Sequence, residues 1–229
     1  MPTHDLEQFD RPSITVDVVI FSLAMEQNDL RVLLVQRDRD PFSDMWSLPG
    51  GFVHINESLE GAAARQLRTK TGIESVYIEQ LYTFGDPQRD PRRHVITVAY
   101  SALVPYTIIE EPAANAPLQW FSVYDRPALA FDHADIVDYA LQRLRYKLEY
   151  TAVGFELLPN EFTLSSLQQA YEIVLAEKLD KRNFRRKILS ADIIKETGQK
   201  SRSGEGRPAM LYRYRDNAVA EVKARRLFP

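Results

Sequence analysis

The stretch from Gly51 to Ile73, GFVHINESLEGAAARQLRTKTGI, constrains the fold more than any other part of the chain. Its second half, Glu57 to Thr71, reads as a helix. Ala62, Ala63 and Ala64 are strong helix formers, and Gly72 stands where a helix stops. The first half reads as a loop feeding that helix. Residues i, i+3 and i+4 of a helix share one face, so Gln66, Thr69 and Lys70 project together. Three carboxylates in those places would converge on a hard cation such as Mg²⁺. An amide, a hydroxyl and an ammonium do not, and Lys70 sets a positive charge where the ion would sit. Glu57 and Arg65 read most simply as an ion pair bracing the loop against the helix. The pattern keeps the frame of a metal site and lacks its ligands.

Composition narrows the class. The 229 residues suit one large or two small domains. Hydrophobic residues make up 45% and charged residues 27%, as in an ordinary globular protein. No apolar run approaches the ~20 residues of a membrane-spanning helix, and MPTHDLEQFDRPSI has neither the basic start nor the apolar core of a secretory signal. There is no cysteine, hence no disulfide, thiolate nucleophile or cysteine metal site, which fits a cytoplasmic protein. Charge divides unevenly. Residues 1 to 177 carry 14 Lys/Arg and 26 Asp/Glu, a net −12; residues 178 to 229 carry 15 and 6, a net +9. An acidic body with a basic end suggests a polyanionic partner for that end.

The rest of the chain supplies the elements. Ile14 to Met25 and Leu30 to Gln36 read as a strand hairpin across Gln27-Asn28-Asp29, and Pro41 to Gly50 as a loop. Val76 to Phe84, His94 to Val104 and Leu118 to Val123 are expected strands. Asp132 to Glu149 is an amphipathic helix with Ile136, Val137, Ala140, Leu141, Leu144 and Leu148 on one stripe. A second unit opens near Thr151. Its first helix has Thr163 or Ser165 as N-cap and buries Leu167, Ala170, Tyr171 and Val174. A basic helix follows from Asp180 to Leu189, with Phe184, Ile188 and Leu189 on its apolar side. Then come Ile193 and Ile194, a tip GQKSRSGEGRP, a strand from Ala209 to Tyr214, and a short helix over Asn217 to Leu227. Helix, short turn, basic helix and hairpin is the order of a winged helix-turn-helix.

Gly51, Glu57, Arg65, Leu67, Gly72 and Ile73 match the Nudix box, which runs Gly, five residues, Glu, seven residues, Arg-Glu-apolar-any-Glu-Glu, any, Gly, apolar. Residues 12 to 150 therefore resemble the Nudix family. The whole chain resembles the Nudix-related transcriptional regulators of NAD metabolism. That resemblance implies a mixed-sheet α/β/α sandwich over residues 1–150 that senses ADP-ribose or a related nucleotide. It implies a winged helix-turn-helix over 151–229 that binds a double-stranded operator, with the protein acting as a homodimeric repressor. The departures at Gln66, Thr69 and Lys70 imply no catalytic residues, no bound metal and no cofactor beyond the effector.

A dinucleotide-like ligand needs cations for its phosphates and a flat face for adenine. Arg37, Arg89, Arg92 and Arg93 are candidates for the first, with Arg37 placed beside the pyrophosphate by the resemblance. The backbone N–H groups at Gly50 and Gly51 are further phosphate candidates. Trp46, Phe84 and Tyr82 are candidates for the second, with core packing as the plainer account. His133 is a candidate contact, with Asp132 as a helix N-cap. For DNA the candidates are Lys181, Arg182, Arg185, Arg186 and Lys187 on the basic helix, able to read guanine edges, and Lys200, Arg202 and Arg207 in the wing. Two other readings stand beside this one: a diphosphate hydrolase using displaced ligands such as Glu57 and Glu60, and an RNA-binding relative. Lys70 weighs against the first, and the lack of an aromatic-rich single-strand platform in the tail against the second.

Overall fold

In the computed structural model, residues 11–74, 76–105, 117–150, 158–201 and 208–215 are described. Strand β1, Ser13–Ala24, is the spine: ten consecutive residues from Thr15 are buried. Alternation of side chains sends Val16, Val18 and Ile20 to one face and Val19, Phe21 and Leu23 to the other. Both faces are covered, so the strand reads as a continuous apolar run. The first set packs on Ala62, Ala63 and Leu67 of α1 (Leu59–Thr71); the second joins Ile136, Val137 and Ala140 of α2 (His133–Tyr150).

Among the described residues, seven strands form the sheet. Strand β2 (Asp29–Gln36) pairs antiparallel with the end of β1, and β4 (Gly50–Phe52) pairs antiparallel with its beginning. On the other edge β6 (Val95–Leu103) runs parallel to β1, and β5 (Ile78–Phe84) is antiparallel to β6. Strands β3 (Trp46–Ser47) and β7 (Leu118–Ser122) both add to β2. The result is the expected mixed-sheet sandwich with a helix on each face. The expected hairpin is present, with Asn28 in the left-handed region at φ 53°. The loop expected over Pro41 to Gly50 instead contains β3 and leads into β4. Strands of two or three residues are too short to show a periodic pattern. Helix α1 starts two residues later than expected, because the Ser58 hydroxyl accepts from Gly61 N as the N-cap and leaves Glu57 in the loop. Gly72, at φ 76°, ends it.

The second unit is a winged helix. Helix α3 (Leu164–Leu175) is capped by Thr163 in a reciprocal box with Ser166. Helix α4 (Lys181–Ser190) is capped by Asp180, whose carboxylate accepts from Asn183 N. Between them the Glu172 carboxylate accepts from Leu179 N and Lys178 Nζ and fixes the turn. Strands β8 (Ile194–Lys200) and β9 (Met210–Tyr214) form the wing, and Phe162 pairs with Tyr212 beside them. Strand β8 takes in Gly198, Gln199 and Lys200, which the sequence assigns to the tip; a register shift between Glu196 and Lys200 accommodates them. Leu189 is not on the apolar side: it is 49% exposed, one residue and ~100° of rotation past the buried Ile188. The expected helix over Asn217 to Leu227, and Arg202 and Arg207, lie outside the described residues.

One apolar cluster runs through both units. It joins the α2 face of the sheet to Leu167, Tyr171 and Val174 of α3 and to Phe184 and Ile188 of α4. Replacing Ile188 by alanine should therefore cost ~2–5 kcal/mol. Tryptophan fluorescence, which reports the sandwich through Trp46 and Trp120, should shift its urea midpoint together with far-UV dichroism. Two separated transitions would show that the units unfold independently.

Candidate functional site

A cleft of about 540 Å³ opens beside the β1–β4 pairing, within the range of small-molecule sites. Asp17 lies under its floor. It is the one acidic residue in β1, 5% exposed, and its Oδ2 accepts from the Thr97 hydroxyl at 2.7 Å. Arg89 Nη2 stands 3.7 Å from Oδ2, and His133 Nε2 stands 3.7 Å from Oδ1. Arg89 in turn binds Asp132 with two nitrogens, at 2.8 and 2.6 Å. A buried carboxylate needs such partners. The cost falls on the backbone too: a Cβ at Gly50 would meet Asp17 Oδ1 at 2.0 Å, so only glycine lets β4 lie here.

His133 opens α2 and is buried. Leu48 N donates to its Nδ1 at 2.9 Å, so the proton resides on Nε2, facing Asp17. Burial lowers its pKa below 6.5, opposed by Asp17 and Asp132. The Asp132 carboxylate is held by Arg89, and the N-capping role expected for it is not what its side chain does.

The box helix forms another wall. Arg65 binds Glu57 through Nε and Nη2, each at 2.7 Å, and reaches the Phe52 carbonyl at 3.0 Å. The Glu57 carboxylate also accepts from His54 N. Its pKa falls to about 2, first because of the Arg65 hydrogen bonds. Gln66 is buried; oriented to satisfy its surroundings, its amide donates to the Gly50 carbonyl at 3.1 Å and accepts from Arg65 Nη1 at 2.9 Å. Gly51 leaves it room, since a Cβ there would lie 2.4 Å from the end of the Gln66 side chain. The Thr69 hydroxyl donates to the Arg65 carbonyl of its own helix. Lys70 is exposed and lines the cleft. Among the described residues no three His, Asp or Glu side chains are grouped to hold a metal ion.

Cations face this space. Arg37 donates from Nε and Nη2 to the carbonyls of Pro41 and Arg39. Burial and then the nearby Arg92 lower its pKa. Arg92 binds Asp90 at 2.7 Å. Between the two lies Phe131, its ring 4.7 Å from the Arg37 guanidinium and 5.8 Å from that of Arg92. Phe131 has φ 54° and packs edge-on against Phe42, itself at φ 66°. Two bulky residues in the left-handed region mark a site held in place by its surroundings.

Of the candidates, Arg37, Gly50, Gly51, Arg89, Arg92 and His133 line the cleft. Arg89, however, directs its donors to Asp132. Trp46 is not on the cleft lining and packs against Phe121 at 4.8 Å. Phe84 and Tyr82 pack together and against Tyr139 on the α2 side of the sheet. Arg93 is exposed and reaches Ser13. Sequence reasoning missed Asp17 and Phe131. Asp17 had a signal, a lone charge in an apolar strand; Phe131 had none.

On α4, Lys181, Arg182 and Arg186 are exposed, and Arg185 and Lys187 are half-buried. Arg182, Arg186 and Leu189 follow i, i+4, i+7 spacing and share one outward face. Arg186 is steadied by Asn183 at 2.8 Å, and Arg185 leans towards Ser165 of α3. Lys200 is exposed at the end of β8.

Comparison with known proteins matches this arrangement along the whole chain. Residues 14–140 match the NUDIX domain model, and residues 154–214 match the NrtR DNA-binding winged helix domain. The ADPR responsive transcriptional repressor NtrR of Acinetobacter baylyi is 39% identical over 90% of this chain and 83% of its own length. The chain belongs to the NrtR family. The crystal structure of Shewanella oneidensis NrtR complexed with a 27mer DNA shares 38% identity, covering 93% of this chain and 96% of that one, with a TM-score of 0.79. The NUDIX domain of the same NrtR complexed with ADP ribose shares 39% identity over 62% of this chain and 94% of that one, with a TM-score of 0.53.

The buried histidine gives this NrtR-family chain a defined acid response. Its folded pKa lies below the unfolded value, so the stability it confers is full above about pH 6.5 and is lost as pH falls from there towards the lower folded value. Glu57 acts in a separate window, between its ordinary 4.5 and about 2. Thermal melts from pH 8 to pH 5 should show stability falling below about 6.5, and His133→Gln should flatten that fall. An unchanged slope in the variant would remove His133 as its source.

Proposed function

We propose that the chain is an ADP-ribose-responsive transcriptional repressor of NAD-metabolism genes, whose Nudix domain binds the effector without cleaving it. The observation that carries this reading is the cleft wall. Where the box asks for carboxylates it presents a carboxamide wired to Gly50 and Arg65, a hydroxyl turned back onto its own helix, and an ammonium. Displaced ligands give little support to hydrolysis: Glu57 is engaged by Arg65, and Glu60 is not among the cleft residues. Cations and amides remain for a diphosphate: Arg37, Arg92 and Lys70 with the Gly50–Gly51 backbone. Phe131 and Phe52, both on the cleft lining and each 5.8 Å from the Arg92 guanidinium, are the aromatic faces beside them and replace Trp46 and Phe84 in that role. Arg89 and His133 contribute by holding the floor.

The NrtR relative crystallised with DNA supports duplex DNA as the partner of the second unit. We assign reading to the outward face of Arg182 and Arg186, with Leu189 offered to thymine methyl groups. Lys181 and Lys200, and Arg202 and Arg207 from the sequence, are assigned to phosphates. Arg185 and Lys187 sit at the margin of that face. A homodimer would set two such helices on a palindrome, ~34 Å apart. No helix among the described residues is long and apolar enough to cross a membrane.

Two expectations follow. Incubated with ADP-ribose and Mg²⁺, the protein should bind the nucleotide in calorimetry and leave it intact, and Arg37→Ala should weaken the binding. Release of AMP at ~1 per second or faster would overturn the silent-domain reading. In a gel shift on the DNA upstream of its own coding region, Arg186→Ala should lower preference at one base position by ~1–3 kcal/mol. Lys200→Ala should weaken all sequences alike and flatten the salt dependence. Equal loss on every sequence from both variants would leave α4 as a phosphate contact only.

A further inference from the structure

Among the described residues, the sandwich holds the winged helix by the carbonyl end of α3. The last four carbonyls of a helix lack partners within it. Here the Tyr124 hydroxyl donates to the Ile173 carbonyl at 2.6 Å, with the Val174 carbonyl 3.1 Å away. Arg145 Nε donates to the same Val174 carbonyl at 2.9 Å. Its guanidinium lies 6.0 Å from the Tyr124 ring, and its charge suits the negative end of the helix dipole. Further along α3, Gln169 Nε2 donates to the Met25 carbonyl at 2.8 Å, at the β1–β2 turn. Past the grip, Ala176 turns left-handed at φ 58°, and the Glu172-braced turn leads straight into α4. Tyr171 and Phe184 pack ring to ring across that corner at 5.4 Å. Whatever shifts the end of α3 shifts the DNA-reading helix with it.

Both gripping residues stand on elements that begin in the cleft. Tyr124 lies two residues beyond β7, whose first residue, Leu118, lines the cleft. Arg145 lies on α2, whose first residue, His133, also lines it. The twelve-residue step from His133 to Arg145 spans ~18 Å of helix. Arg126 ties the two rods together: it donates to the Val123 carbonyl at 3.0 Å and to the Asp138 carboxylate at 2.7 Å. A strand and a helix fastened to each other thus join the effector cleft to the helix that precedes the recognition helix.

We propose that Tyr124 and Arg145 are positioning residues that set the recognition helix and carry the effect of cleft occupancy to it. The inference rests on the reading of the chain as an ADP-ribose-responsive DNA-binding protein. Neither residue touches the cleft or the DNA-facing side of α4. Their loss should therefore change the coupling between the two sites more than it changes either site.

The test uses the full chain, with ADP-ribose and a duplex from its own upstream DNA as probes. Duplex affinity is measured by fluorescence anisotropy with and without saturating ADP-ribose, and ADP-ribose affinity by calorimetry with and without duplex. In the wild type the two ratios must agree, because coupling is reciprocal, and ~5–150-fold is the usual range. Tyr124→Phe removes one hydroxyl and keeps the ring. It should lower that ratio about fivefold or bring it to unity, the equivalent of one hydrogen bond, while ADP-ribose affinity without DNA stays unchanged. Arg145→Gln should act in the same direction, and Arg145→Lys, which keeps a cationic donor, should restore part of the ratio. A wild-type ratio above one that both Tyr124→Phe and Arg145→Gln retain in full overturns the positioning role alone. A wild-type ratio of one, or no ADP-ribose binding, overturns the effector reading on which the proposal stands.

Discussion

A single buried carboxylate organises the first unit. Asp17 sits in the central strand, where every neighbour on the chain is apolar, and an unmatched charge there would cost several kcal/mol. Its partners come from three distant segments: Thr97 on β6, Arg89 in the loop before it, and His133 at the start of α2. Each is fixed in turn, Arg89 by Asp132 and His133 by the Leu48 amide. The same carboxylate forbids a side chain at position 50. Satisfying this charge therefore sets where the cleft floor lies, where α2 begins and which residues of β4 line the cleft.

The frame residues of the box helix have geometric roles of their own. Gly51, Arg65 and Gly72 still do mechanical work: close approach, a bidentate brace and a helix stop. Gln66 fills the place of a carboxylate with a neutral group that bonds Gly50 and Arg65. Nothing at that position then needs a counter-ion, and Lys70 adds a positive charge to the rim. The wall thus presents neutral and positive groups to the cleft.

Much of this was readable in the sequence. The apolar run of β1, the cap at Thr163, the stop at Gly72 and the order of the winged helix follow from periodicity and local chemistry, which act over a few residues. The pairing of Glu57 with Arg65 followed from their places on either side of one turn. Strands β3 and β4 did not, because two or three residues are too few to show a periodic pattern. The aromatic face of the cleft did not either. Trp46, Tyr82 and Phe84 have the right chemistry, and the sheet directs them to other neighbours, whereas Phe131 reaches the cleft through a left-handed backbone that its sequence does not advertise. Leu189 was misplaced by a single step of helical rotation.

The apolar cluster that runs from the sheet through α3 to α4 has a consequence for how a signal crosses the molecule. Packed interiors are nearly incompressible and do not deform by degrees. A reading helix seated in such an interior cannot swing as a domain on a slack tether does. It can only exchange one seating for another, as a whole and over a short distance. On the proposed reading, regulation is then an exchange between well-packed arrangements, and its sharpness is set by how few of them the shared interior allows.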